Sequence, residues 1–332
     1  YRIREVELEI SKKYSEKKMR CPTHLSVGQE GVSSAFSQIA KKKDFAVSTH
    51  RAHAHYLAKG GSLKKMIAEI YGKKTGCSNG KGGSMHLIDL KCNFMGSSAI
   101  VGNSIPIGVG LALSAKMKKT SQVSYVFLGD GAGFVYSHLG TSHQSTEDIA
   151  ITRAIPNISI FSPADQVEMR NSVNLSYKSN SPVYLRIGKS DGESVHKQDV
   201  TFAKGDLINI RESSGSIHFI ATGSMVKSGL TVADEFKGAG FSSAPSLKPI
   251  NINQVVDICK KNKVIVTLEE HSIYGGLGSL VAEISSQNSP SRILIIGVND
   301  RFSEFCGSHD YLLKEHGLNK ESIQRKVLEF VG

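Results

Sequence analysis

The second half of the chain repeats one pattern, a short apolar run that ends in a polar or glycine-rich turn and is followed by a stretch with helical spacing. The runs are ISIFSPAD (158–165), SPVYLRIG (181–188), SIHFIATGS (216–224) and KVIVTLEE (263–270). Among them QVEMRNSVNLSY, MVKSGLTVADEFKGAG and GLGSLVAEISS place their apolar residues as helices do. A strand covered on both faces reads as a continuous apolar run, and strands that alternate with helices pair in parallel. The pattern therefore predicts an α/β protein with parallel sheets, whose ligands bind beyond the carboxyl ends of the strands. Asp130, Asp165 and Glu269–His271 fall at such ends.

The first half reads differently. Residues 1–19 space Ile3, Val6 and Ile10 as an amphipathic helix, CPTHLSVGQE breaks that pattern, and GVSSAFSQIAKK starts another. Residues 48–100 are rich in Gly and His and poor in strand pattern, which predicts loops and short helices around a site. A helix over 104–117 is entered through Pro106, and VSYVFLGDGA is a buried strand emptying into a Gly-Asp-Gly turn. A polar segment near 190–202 marks a boundary, and no convincing strand precedes the turn in GFSSAPSLKPI.

Composition excludes several classes. No apolar run approaches the roughly 20 residues that span a bilayer. No leader with a cleavage signature opens the chain, and Tyr1 in place of Met indicates that the natural N-terminus lies upstream. The five cysteines, at 21, 77, 92, 259 and 306, match neither a disulfide framework nor a zinc knuckle, so free thiols in a reducing cytoplasm are expected. The net charge of +11 is uneven: residues 1–132 carry 21 Lys or Arg against 9 acids, and the remainder 20 against 21. The basic runs Lys41–Lys43 and Lys116–Lys119 lack interleaved aromatics or a reading module, which argues against nucleic acid. A basic half that attracts anionic cofactors or substrates fits the same numbers.

Glycines flanking Asp130 let the backbone turn closely around a ligand while the carboxylate offers a hard oxygen to Mg²⁺ or Ca²⁺. His24, His50, His53, His55 and His86 precede this turn and His138 follows it, but no HExxH pattern joins them, so zinc is disfavoured. Histidines beside Arg51 in THRAHAH suit polar contacts with an anion, or proton transfer. GCSNGKGGSMH lacks the spacing of a nucleotide phosphate loop, since Gly82 follows Gly80-Lys81, and reads instead as a flexible active-site wall.

In order and spacing, HLSVGQEGV, STHRAHAHYLAKG, GKGGSMHLID, NFMGSSAIVGNSIPIGVGLALSAK and GDGA resemble the alpha part of the thiamine diphosphate-dependent first component of 2-oxo acid dehydrogenases. SHQSTEDIAITRAIPN, SPAD, ATGSMV, SLKPI and EEHSIYGGLGS resemble the beta part, or the corresponding portion of transketolase and deoxyxylulose-phosphate synthase. The resemblance implies three doubly wound, mostly parallel-sheet domains, the first two incomplete. These are a diphosphate-binding domain over 1–132, a partial pyrimidine-binding domain over 133–195 and a transketolase C-terminal-like domain over 196–332. It implies thiamine diphosphate with Mg²⁺ held by Asp130. Arg51, Ala99, Val101, Gly129, Gly131 and Ala132 would contact the cofactor, although His50 stands where the family often has Tyr and Ala99 where it often has Gly. His24, His86 and His143 are implied as catalytic, and Glu269–His271 is expected to order a strand end.

The implied reaction is oxidative decarboxylation of a 2-oxo acid with acyl transfer to a lipoyl acceptor. Transketolase-like ketol transfer between sugar phosphates and a non-catalytic relative are the alternatives. A cytoplasmic homodimer or larger symmetric assembly is implied, meeting through 94–118 and 138–170, with a lipoyl-bearing acyltransferase as second partner. No acid occurs between Asp130 and Glu147, where the family's catalytic glutamate and second metal ligand belong. A long stretch is therefore expected to be absent between Ala132 and Gly133, with those residues far apart.

Overall fold

A computed structural model of the chain describes residues 1–19, 21–100, 102–128, 132–188, 194–196 and 198–332, with the side chain of Ser142 excepted. Its contacts divide it into two compact units, Tyr1–Gly129 and Asp130–Gly332. The fold is mixed α/β with parallel-dominated sheets.

In the first unit, β1 (Phe45–Thr49), β2 (Phe94–Ser98) and β3 (Ser124–Val126) form a parallel sheet of order β2-β1-β3. Phe36, Ala46, Tyr56, Met66, Ile70, Leu87 and Phe94 make its core. The two strands inside and beside 48–100 correct the expectation of loops there. FAVST and FMGSS are small and hydroxyl-rich, so they carry no strand pattern, yet their polar atoms are paired: Ser48 Oγ lies 2.9 Å from His55 Nδ1, and Ser97 Oγ donates to the Met85 carbonyl at 2.7 Å. The helix Ser104–Met117 packs on this sheet through Gly108, where a Cβ would sit 2.0 Å from Val126.

The second unit holds two sheets. β4 (Ser159–Phe161) pairs in parallel with β5 (Val183–Leu185). β6 (Ile208–Arg211), β7 (Ile217–Ala221) and β8 (Gly240–Ser243) belong to a second, five-stranded sheet, whereas β9 (Ser246–Lys248) returns antiparallel to β4. β10 (Val264–Ser272) and β11 (Arg292–Val298) complete the order β11-β10-β7-β8-β6, in which only the β6–β8 pair is antiparallel. Alternate residues serve opposite faces, as the pleat requires. Phe219, Val266 and Leu268 join the core with helices Met225–Ala233 and Lys320–Val331, while Ile220 and Ile265 join Val255, Leu277 and Val281 on the other side.

β8 corrects the expectation that no strand precedes the turn after Phe241. GFSS is short and half serine, but pairing on both edges and the burial of Phe241 fix it. The expected separation of Ala132 from Gly133 is also corrected. Gly133 follows Ala132 directly at φ 63°, and both are tied within the second unit: Ala132 N–H to the Ile187 carbonyl at 3.4 Å, Gly133 N–H to the Ser145 carbonyl at 2.7 Å. All five cysteines are free thiols, and among the described residues no helix is long and apolar enough to cross a membrane.

His218 on β7 is 3% exposed, with Nε2 2.9 Å from Ser242 Oγ on β8. Burial, assisted by the Arg211 and Lys261 charges, pushes its pKa down to about 4 from 6.5. The unfolded chain binds this proton more tightly, so the stabilisation is complete above about pH 6.5 and is lost as pH falls toward 4. His218→Gln is expected to show a flatter dependence of Tm on pH across that interval than the parent. Parallel calorimetric curves would contradict the buried neutral imidazole.

Candidate functional site

Parallel β1 delivers His50 and Arg51 at its carboxyl end, where open parallel sheets bind ligands. His24 meets His50 edge-to-face, with ring centroids 4.8 Å apart. Arg51 Nη1 donates to the Leu25 carbonyl at 2.8 Å, and Ser26 Oγ donates to the Arg51 carbonyl at 3.2 Å. The structure thus brings together His24, His50 and Arg51, half-buried or buried, on two segments stitched backbone to side chain.

The stitching continues into His53 of THRAHAH and into Glu7 and Ser84, which sequence reasoning missed. Glu7, His53 and Ser84 are fully buried. His53 Nδ1 lies 3.1 Å from Glu7 Oε1 and His53 Nε2 lies 2.8 Å from Ser84 Oγ. Acid, imidazole and hydroxyl in that order have the connectivity of a hydrolytic relay. Ser84, however, has no surface to offer a substrate, and its Oγ also accepts the His24 N–H at 3.4 Å, while Glu7 Oε2 accepts the Ser26 N–H at 3.3 Å. The group is a clamp that positions His24 and, through Ser26, Arg51. One signal pointed to it: Glu7 lies on the same helical stripe as Ile3 and Ile10.

His86 and Ala99 are exposed and take no part in the hydrogen bonds just described. His143 ends the short turn Thr141–His143 of the second unit, and Ala132 is buried there with its N–H on Ile187. Val101, Gly129, Asp130 and Gly131 lie outside the described residues. Among the described residues no group of three or more His, Cys, Asp or Glu gathers as a metal site.

Acids of the second unit act on loops as well. Glu269 accepts the N–H groups of Leu277 (2.7 Å) and Gly278 (2.8 Å) at the start of helix Leu277–Asn288, and burial pushes its pKa up to about 7. Glu270 accepts from Phe134 N–H at 2.6 Å and Ser224 Oγ at 2.8 Å and lies 2.9 Å from His309 Nε2. Burial opposes its ionisation, but those partners outweigh it and hold it low. His271 Nε2 accepts the Ala150 N–H at 3.3 Å, so each of the three residues orders a neighbouring segment. Asp148 is likewise opposed by burial and held low by Arg186, whose Nε lies 2.7 Å away.

The glycine-rich segment 76–86 is not an open phosphate cradle, nor is it loosely held. The buried Glu69 carboxylate accepts the N–H groups of Ser78 (2.7 Å), Gly80 (2.9 Å) and Gly82 (2.7 Å). Glycine is required where the chain passes this acid, since a Cβ at Gly76 would sit 2.2 Å from Glu69 Oε2. Glu69→Ala strands three amides and is expected to cost about 3 kcal/mol or more. Hydrogen exchange should then accelerate selectively over 76–86; uniform acceleration would contradict a local staple.

Residues 1–144 match the family model for the dehydrogenase E1 component, 112–193 that for the transketolase pyrimidine binding domain, and 207–323 that for the transketolase C-terminal domain. A putative transketolase C-terminal section from Methanocaldococcus jannaschii is 37% identical over 208 residues, covering 60% of this chain and 63% of that protein. A pyruvate dehydrogenase E1 component subunit alpha from Rickettsia prowazekii is 49% identical over 109 residues, 33% of each chain. A subunit of the apulose-4-phosphate transketolase from Phocaeicola vulgatus is 32% identical over 216 residues, 64% of this chain and 68% of that one. The chain thus spans less than two thirds of the first two relatives. A solved split gene transketolase, in an inactive beta4 tetramer, shares the fold at TM-score 0.67 and 24% identity, over 91% of this chain and 97% of that one. With both transketolase domains matched and two thirds of a transketolase subunit covered, the chain belongs to the transketolase-like superfamily of thiamine diphosphate-dependent proteins.

Proposed function

We propose that the chain binds thiamine diphosphate with Mg²⁺ and uses it in oxidative decarboxylation of a 2-oxo acid, passing the acyl group to a lipoyl acceptor. The observation that carries this reading is the gathering of His24, His50 and Arg51 at the carboxyl end of β1, in the unit that matches the dehydrogenase E1 component. The donor set fits: a guanidinium and imidazoles present N–H groups to diphosphate oxygens. When bound, the cofactor supplies an electron sink for the pair left by the broken bond. Arg51 would neutralise the diphosphate, Asp130 would hold its metal, and Gly129, Gly131, Ala132, Ala99 and Val101 would border the cofactor. His24, His86 and His143 would hold or deliver a proton at the substrate's carboxylate and carbonyl oxygens.

Two further readings each have an observation behind them. The matches of 37% and 32% identity to transketolase portions favour ketol transfer. The lack of an acid between Asp130 and Glu147, where the family resemblance places the glutamate, favours a non-catalytic relative. Decarboxylation of a 2-oxo acid panel with an artificial electron acceptor, beside ketol transfer between sugar phosphates, separates the three. Turnover of a 2-oxo acid is expected, ketol transfer alone would replace it, and binding without either would leave the third. Thiamine diphosphate affinity should be Mg²⁺-dependent and fall at least tenfold in Asp130→Ala and in Arg51→Ala; binding indifferent to Asp130→Ala would remove the metal assignment.

A symmetric oligomer belongs to this proposal, with a lipoyl-bearing acyltransferase as the second partner. Helix Ser104–Met117 buries Ser104, Gly108 and Ala115 and exposes Ile105, Val109, Leu113 and Met117 by 47, 61, 55 and 75%. These residues, four apart, form an apolar stripe of the kind that marks a subunit contact. Val109→Glu with Leu113→Glu should shift the protein to monomer in sedimentation equilibrium while its circular dichroism stays unchanged. A parent that is already monomeric would overturn the assignment.

A further inference from the structure

A cavity of about 510 Å³ opens in the first unit, lined by Lys42, Lys59, Ser62, Lys65, Asp89 and Lys91 among others. Chain order locates it. Lys42 precedes β1 and Lys91 precedes β2, and the two strands run in parallel away from it. His50 and Arg51 follow β1 at the opposite end, so the cavity is separate from the cofactor region.

Its electrostatics are one-sided. Four lysines stand against a single acid, and that acid is committed: Asp89 accepts the Tyr56 hydroxyl at 3.1 Å and the Lys91 N–H at 3.1 Å, and its Oδ2 lies 3.5 Å from Lys65 Nζ. Lys59 is only 6% exposed, and its ammonium donates at 3.1 Å to the carbonyls of Lys41 and Lys42. Those acceptors are neutral and leave the ammonium a third proton to give, while the buried Asp44 carboxylate, outside the lining, offsets part of its charge. Burial correspondingly lowers the Lys59 pKa. Ser62 caps helix Leu63–Ile70 by accepting the Lys65 N–H, which sets the positive end of that helix at the same wall.

We propose that this cavity binds a small ligand carrying two or more phosphate groups. The volume suits a small molecule, since ligand pockets run from about 300 to 1,000 Å³. No arginine lines the cavity, so its lysines would meet phosphate oxygens as point charges rather than through bidentate forks. The surplus of three positive charges calls for more than one anionic group. Binding here is independent of the catalytic reading.

The test is calorimetric titration of the 332-residue chain with inorganic tripolyphosphate, performed on the parent and on Arg51→Ala so that the cofactor region does not contribute. A site that persists in Arg51→Ala is expected. Its affinity should fall at least tenfold on adding Lys65→Gln with Lys91→Gln, both accessible positions whose change leaves the core intact, and on adding Lys59→Met separately. Lys116→Gln with Lys118→Gln removes the same charge elsewhere in the unit and should leave binding within twofold. Loss of binding in Arg51→Ala alone would overturn the proposal. An equal fall in the Lys116 and Lys118 control, or equal heat from sulfate at matched ionic strength, would overturn it too.

Discussion

A carboxylate taken out of water must find other donors, at a penalty of several kcal/mol if it does not. In this protein the backbone supplies them. Glu7 accepts from Ser26, Glu69 from Ser78, Gly80 and Gly82, Glu269 from Leu277 and Gly278, and Glu270 from Phe134. Asp165 extends the principle, capping helix Gln166–Tyr177 with one oxygen while the other accepts from Val195 and His196. Each acid reaches amides that no ladder satisfies, in a loop or in the first turn of a helix. Loops around the strand ends are thereby held by side chains that look, one at a time, like ordinary surface acids.

Neighbouring acids show how finely the balance is set. Glu269 and Glu270 are adjacent and both buried, yet burial carries Glu269 up to about 7 while Glu270 stays low. The difference lies in the partners. Glu269 has two amides and the through-space charges of Arg186 and Arg153, whereas Glu270 adds directly hydrogen-bonded partners, the His309 imidazole and the Ser224 hydroxyl, to its amide. Charge-bearing partners offset desolvation more fully than dipoles do.

How much of this was legible depended on side-chain bulk. Runs such as KVIVTLEE announce β10 because Val, Ile and Leu fill both faces of a covered strand. FAVST, FMGSS and GFSS conceal β1, β2 and β8, because serine and glycine can line a sheet wherever a neighbour takes the hydroxyl. Local pattern cannot name that neighbour: His55 for Ser48, His218 for Ser242. The site followed the same division. Arg51 stood out among the histidines of THRAHAH and His24 through the family resemblance of HLSVGQEGV, while Glu7, at the far end of the unit in sequence, becomes intelligible only once Ser26 and His53 are beside it.

Glu69 and the glycines around it have a consequence for how this segment can change over generations. The acid occupies space that a Cβ at Gly76 would claim and saturates amides that bulkier neighbours would turn away. Replacing Gly76 first expels the carboxylate; replacing the acid first leaves the glycines with their entropic penalty and nothing gained. Neither order offers a neutral intermediate. The positions are bound to persist together or be exchanged together, so an insertion or deletion anywhere between Glu69 and Gly82 falls on a segment with no slack to absorb it.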